Sequence, residues 1–199
     1  MHLNKIFSLI VVAASTVLLA LSTSTSWGQD HRPLMRYPDI HQDKVVFVSA
    51  GDIWLANIDG NATARRLTHH DGRELHPNFS PDGSKIAFTG QYDGNADVYV
   101  MNSDGSNITR LTFHPGFDEV IGWHPTKNKV LFSARRSTGT GMPTSRLYTI
   151  GPDDPHAEPL ILAEAARGSY SSDAGRIVFN KTAREDRTWK RYRGGRAQD

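Results

Sequence analysis

The stretch HPNFSPDGSKIAFTGQYDGNADVYVMNSDGSNITRLT, residues 76–112, decides the fold. It holds three Asp-Gly pairs, Asp82-Gly83, Asp93-Gly94 and Asp104-Gly105, each 11 residues after the last. Asp59-Gly60 and Asp71-Gly72 continue the series upstream. Both residue types tolerate positive φ, which tight hairpin turns demand. Turns this close leave room only for short strands between them, so the stretch predicts an antiparallel meander.

A longer period lies over the short one. KVVF begins at Lys44, KIAF at Lys85, KVLF at Lys129 and RIVF at Arg176, in steps of 41, 44 and 47 residues. DIWLANIDG at Asp52 answers DVYVMNSDG at Asp97 and, more loosely, RLYTIGPDD at Arg146. RRLTHH at Arg65 answers TRLTFH at Thr109. A repeat of roughly 40–45 residues with four short strands per unit is that of a β-propeller blade. The K-V-x-F strands are apolar on consecutive residues, which fits a sheet covered on both faces by neighbouring blades. Phe47, Phe88, Phe132 and Phe179 recur at one position, and Trp54, Tyr99 and Tyr148 at another. We expect these rings to wedge between blades as core, each burying on the order of 150–250 Å².

The expected fold is therefore all-β, an incomplete β-propeller of about three and a half four-stranded antiparallel blades. The repeat frame sets the blades at about 44–82, 83–127 and 128–174, with a partial blade at 175–199. Propellers need four to eight blades to close. The count predicts that the sequence is the N-terminal part of a longer protein, since unpaired terminal blades would expose apolar faces and a strand edge.

A formal charge of +2 gives no whole-protein field for nucleic acid or an anionic membrane. With no cysteine, disulfides, thiolate metal sites and thiol nucleophiles are excluded within this chain. At the N-terminus, MHLNK precedes the uncharged 16-residue run IFSLIVVAASTVLLAL and then polar STSTSWGQD. That order is a secretory signal peptide, with small residues at Ser26 and Gly28 ahead of the cleavage point. The apolar run is short for a membrane span of ~20 residues. Residues 1–28 are thus expected to be a signal peptide and 29–199 an exported, periplasmic or secreted propeller segment.

The meander of residues 76–112 resembles the WD40-like repeat of TolB and of several peptidase propellers. Three further stretches narrow the resemblance. YPDIHQDKVVFVSAGDIWLANIDG (37–60), FHPGFDEVIGWHP (113–125) and WKRYRGG (189–195) are similar to the N-terminal propeller of the tricorn protease family. The resemblance covers essentially all of residues 34–199. It implies a six-bladed propeller that admits or sorts peptides or unfolded proteins. A second propeller, a PDZ domain and a serine protease region would follow, in a protein that can form homo-oligomers. The catalytic serine and histidine of such a protein fall beyond residue 199, so no catalytic residue is expected here. Archaeal members of the family work inside the cell, in contrast to the leader seen here. They also use a basic pair on this propeller to hold a substrate carboxylate. The matching stretch here, LTFHPGFDEVIGW, has no such pair. Arg135 and Arg136 lie on a later strand-to-loop segment and are the candidate substrate contacts. Arginine suits a carboxylate through paired hydrogen bonds. The competing reading makes them solvated loop arginines.

No nucleophile elbow, His-Glu-x-x-His or phosphate-binding loop occurs. No cofactor or metal is expected. His69-His70 are neighbours, which point to opposite faces in a strand. NSDGSN at Asn102 lacks the glutamate of a calcium loop and fits a hairpin turn. The end of the chain carries Lys181, Arg184, Arg187, Lys190, Arg191, Arg193 and Arg196. Because it continues the RIVFN strand of an exported chain, it is read as loop or strand edge of the fourth blade and not as a nucleic-acid site. Two other functional classes remain. One is a TolB-like protein-binding scaffold, which carries an α/β domain ahead of its propeller. The other is the propeller of a prolyl-oligopeptidase-like peptidase.

Overall fold

The computed structural model describes residues 34–61, 63–136, 144–154, 156–162 and 164–181. Residues 1–28, expected to be a signal peptide, and the arginine-rich end, 182–199, lie outside the described residues. Among the described residues every regular element is a β-strand. The first sheet holds β1 (Arg36–His41), β2 (Lys44–Ser49), β3 (Asp52–Asn57) and β4 (Arg65–Arg66). The second holds β5 (Glu74–Phe79), β6 (Lys85–Gly90), β7 (Asp97–Asn102) and β8 (Thr109–Arg110). The third holds β9 (Asp118–Trp123), β10 (Val130–Arg135), β11 (Ser145–Ile150) and β12 (Glu158–Pro159). A two-stranded sheet of β13 (Arg167–Tyr170) and β14 (Ile177–Asn180) follows. Each four-stranded sheet is an antiparallel meander in chain order, so the sheets are successive blades of an unclosed propeller.

The blades begin one strand earlier than the repeat frame placed them. The HPNF segment pairs with β6 in its own blade and does not close the blade before it. The frame started each unit on the K-V-x-F strand because that strand repeats most clearly. The strand ahead of it varies from blade to blade and is the innermost of its sheet.

The Asp-Gly turns form as their chemistry requires, with one exception. Gly60, Gly83, Gly94 and Gly105 take positive φ. Gly72 does not; a Cβ there would lie 2.1 Å from the carbonyl oxygen of Gln91, so close approach explains the glycine. In the NSDGSN turn, Asp104 Oδ1 accepts from the backbone N–H and the hydroxyl of Ser106, at 2.9 and 2.6 Å.

The core lies in the seams between blades. Val46, Val48, Ile53 and Leu67 of blade 1 pack on Phe79, Ile86, Phe88, Tyr99 and Met101 of blade 2. Ala87, Val98, Val100 and Leu111, on the other face of blade 2, pack on Val120, Trp123, Val130, Phe132 and Tyr148 of blade 3. Of the recurrent aromatics, Phe88, Tyr99, Phe132 and Tyr148 wedge into these seams as expected, whereas Phe47 and Trp54 of blade 1 belong to neither cluster. Within a sheet they are also direct cross-strand partners, with Phe88 stacked on Tyr99 at 5.6 Å and Phe132 on Tyr148 at 5.5 Å. Phe179 holds the matching position in blade 4 but is 40% exposed. Backbone groups also cross the seams: Trp123 Nε1–H donates to the carbonyl of Asn78 at 3.0 Å, and the Phe79 N–H donates to Asp39 at 2.7 Å.

Candidate functional site

The innermost strands β1, β5, β9 and β13 bring together four residues that the motif search did not single out. Tyr37 packs on His76 in a tilted pair with ring centroids 4.0 Å apart. His76 Nε2 lies 2.6 Å from Glu119 Oε1. The same carboxylate oxygen accepts from Arg167 at 2.7 Å. The result is one continuous polar ladder across four blades. Burial works against the charge on Glu119, yet the His76 hydrogen bond and the Arg167 charge hold its carboxyl below the ordinary range.

The backbone is bent where the ladder starts. β1 and β5 each carry a bulge, between Arg36 and Asp39 and between Leu75 and Asn78. Tyr37 and His76 sit in those bulges with φ of 51° and 52°, an uncommon conformation for non-glycine residues. Bulges of this kind re-aim a side chain, and strained backbone of this kind clusters at functional sites. Strand pairing puts two of the four ladder residues, Glu119 and Arg167, at one repeated register position. Arg36, Leu75, Glu119 and Arg167 each pair with the residue after the recurrent phenylalanine: Val48, Thr89, Ser133 and Asn180. Charged residues therefore occupy a strand position that carries leucine in blade 2.

A cleft of about 330 Å³ opens beside the ladder between blades 3 and 4. Phe117, Glu119, Ser133, Arg135, Ser145 and Ala166 line it. Arg135, one of the two candidate substrate contacts, is exposed at the end of β10 and donates to the Ser145 hydroxyl at 3.2 Å. Arg136 points elsewhere. It donates to the fully buried Asp118 at 3.0 Å and lies over the Tyr148 ring, 4.7 Å from its centroid. The structure thus separates the pair: Arg135 borders the cleft, and Arg136 is engaged in the seam between blades 2 and 3.

That seam holds a second charged constellation. Asp97, at the start of β7, pairs with Arg110 at 2.7 Å and accepts from Thr112 at 3.2 Å. Thr112 in turn accepts from the Val98 N–H at 3.0 Å. Asp118 faces this set from blade 3. Burial pushes the carboxyls of Asp97 and Asp118 upward, and Arg110 and Arg136 oppose that rise. The seam between blades 1 and 2 repeats the plan with Asp52, Arg66, Thr68 and Glu74.

Residues 32–199 match the tricorn protease N-terminal beta propeller domain family. The tricorn protease of Thermoplasma acidophilum is 31% identical over 175 residues, covering 81% of this chain and 16% of that protein. The crystal structure of the tricorn protease matches with a TM-score of 0.69 at 28% identity, over 83% of this chain and 17% of that one. TolB from Acinetobacter baumannii matches with a TM-score of 0.62 at 23% identity, over 77% of this chain and 39% of that one, a likeness of fold alone. The chain therefore spans about a sixth of the length of the protease relative.

Proposed function

Because the chain belongs to the tricorn protease N-terminal β-propeller family, we propose that it handles peptide substrates for a serine-type protease region outside these 199 residues. The observation that carries this reading is the ladder Tyr37–His76–Glu119–Arg167, laid across four inner strands beside an open cleft. Inner strands line the axis of a propeller, where a ligand meets every blade at once. An extended peptide presents amide groups and a terminal carboxylate, and the arginines at this site suit such groups. Arg167 and Arg135 are the groups assigned to contact it. The leader-like composition of residues 1–28 supports an exported location.

Fluorescence anisotropy with labelled unstructured peptides tests the proposal on the 199-residue chain. The expected result is saturable binding without cleavage, weakened at least about fivefold, or ~1 kcal/mol, by Arg167→Glu. Absence of saturable binding, or equal affinity in the variant, defeats it.

A further inference from the structure

The two charged seams are built to one plan but do not carry the same charges. Between blades 2 and 3, two buried acids, Asp97 and Asp118, meet two guanidinium groups, Arg110 and Arg136. Between blades 1 and 2, Asp52 and Glu74 meet one, Arg66, at 2.7 Å from Asp52. The place of Arg136 is taken by Tyr92, whose hydroxyl donates to Glu74 Oε1 at 2.8 Å. Among the described residues, Asp52 Oδ1 and Glu74 Oε2 in this seam have no hydrogen-bond partner, against Asp118 Oδ1 alone among the carboxylate oxygens of the next seam. Glu74 is fully buried, and a buried anion without a counter-charge is strongly disfavoured.

We propose that the seam between blades 1 and 2 is a proton-binding joint, in which one proton held by the buried Glu74 carboxyl supplies the positive charge that Arg136 supplies in the next seam. Among the described residues, the groups in contact with the two acids leave Glu74 without a cation of its own. Arg66 of β4 is committed to Asp52. Tyr92 stays a phenol, because burial first and then the charge of Glu74 push its ionisation far up. His70 and Tyr99 touch the Tyr92 ring, at 4.0 and 4.7 Å between centroids, so they stand behind the phenol. Arg36 and Arg73 line the cleft beside Glu74. Burial raises the Glu74 carboxyl from 4.5 to about 7, with Asp52 adding to the rise and Tyr92 opposing it.

The sign follows from linkage. The folded chain binds a proton at Glu74 that the unfolded chain has released between pH 4.5 and about 7. Stability from this group is therefore full below pH 4.5 and is lost as the pH rises through about 7. Above that, the Glu74 charge stands in the seam without a counter-charge of its own, since Arg66 is held by Asp52, and the two blades are held less firmly.

The test uses the whole chain, its Glu74→Gln and Tyr92→Arg variants, and two readouts. Infrared difference spectra across the titration should show a protonated carboxyl band that vanishes near neutrality in the wild type and is missing in Glu74→Gln. The thermal midpoint of the wild type should fall by ~5 °C more than that of Glu74→Gln between acid and alkaline buffer. Tyr92→Arg should flatten the wild-type dependence by restoring the second guanidinium. A band that titrates identically in Glu74→Gln, or midpoints that run parallel in all three chains, overturns the proposal. If Glu74→Gln does not fold, an unflattened Tyr92→Arg profile overturns it alone.

Discussion

Tyr92 and Arg136 occupy the same place in successive blades. Each lies two residues after the β-strand partner of a buried acid, Gly90 opposite Glu74 and Ala134 opposite Asp118. Each donates to that acid, at 2.8 and 3.0 Å. One seam is thereby closed by a neutral phenol and the other by a cation. The repeat sets the position of the side chain, while the residue standing there sets how the joint responds to charge.

Arg136 is consequently a structural counter-ion, and its removal should destabilise the fold far more than removal of its neighbour. Arg136→Ala leaves Asp118 buried without its partner and strips the cation from the Tyr148 ring. The expected loss is about 3 kcal/mol in denaturant unfolding. Arg135→Ala, at an exposed strand end, should change stability by less than about 0.5 kcal/mol. Equal losses in the two variants would contradict this division of roles.

The recurrent phenylalanines should likewise differ by blade. Phe88 is fully buried against blade 1, and Phe88→Ala should cost about 3–5 kcal/mol. Phe179 sits at the same repeat position at 40% exposure, so Phe179→Ala should cost about 1 kcal/mol in the 199-residue chain. Urea denaturation of both variants decides the point, and a Phe179→Ala loss equal to that of Phe88→Ala would show blade 4 to be packed more tightly than described.

The fold was legible because propeller strands obey local rules. Asp-Gly pairs mark hairpins, and consecutive apolar residues mark a strand covered on both sides. Blade boundaries were less legible. The strongest repeated string, K-V-x-F, is the second strand of its sheet, and the strand ahead of it carries no such repeated string. The ladder stayed hidden for the same reason. Tyr37, His76, Glu119 and Arg167 share no motif, and two of them depend on bulges that no residue type announces. Arg135 and Arg136 are adjacent in sequence, but Arg135 ends β10 and Arg136 lies just past it, so one reaches the cleft and the other the seam.

Two glycines that look alike in sequence should respond differently to alanine. At Gly72 the added Cβ meets the backbone oxygen of Gln91 at 2.1 Å, which forces a rigid element to shift. Gly72→Ala should cost roughly 2 kcal/mol or more, at the level of overpacking. At Gly94 nothing lies within 4 Å and only the φ of 77° opposes substitution. Gly94→Ala should cost about 1 kcal/mol. Chemical denaturation midpoints compare them directly, and a reversed order would refute the close approach at Gly72.

Glu119 should govern the acid limb of stability, opposite in sign to Glu74. Its folded carboxyl is held below the ordinary value by His76 and Arg167, against burial. The folded state therefore binds fewer protons than the unfolded state as the pH falls through the carboxylate range. The contribution is full above the ordinary pKa and disappears as the pH drops through the lowered one. Glu119→Gln should lose stability at neutral pH, since Arg167 and His76 then face a neutral amide. It should lose little more on acidification, so its profile should converge on the wild type at the acid end. Thermal unfolding from neutral to acid pH measures this, and a variant whose profile stays parallel to the wild type would remove Glu119 as the charged centre of the ladder.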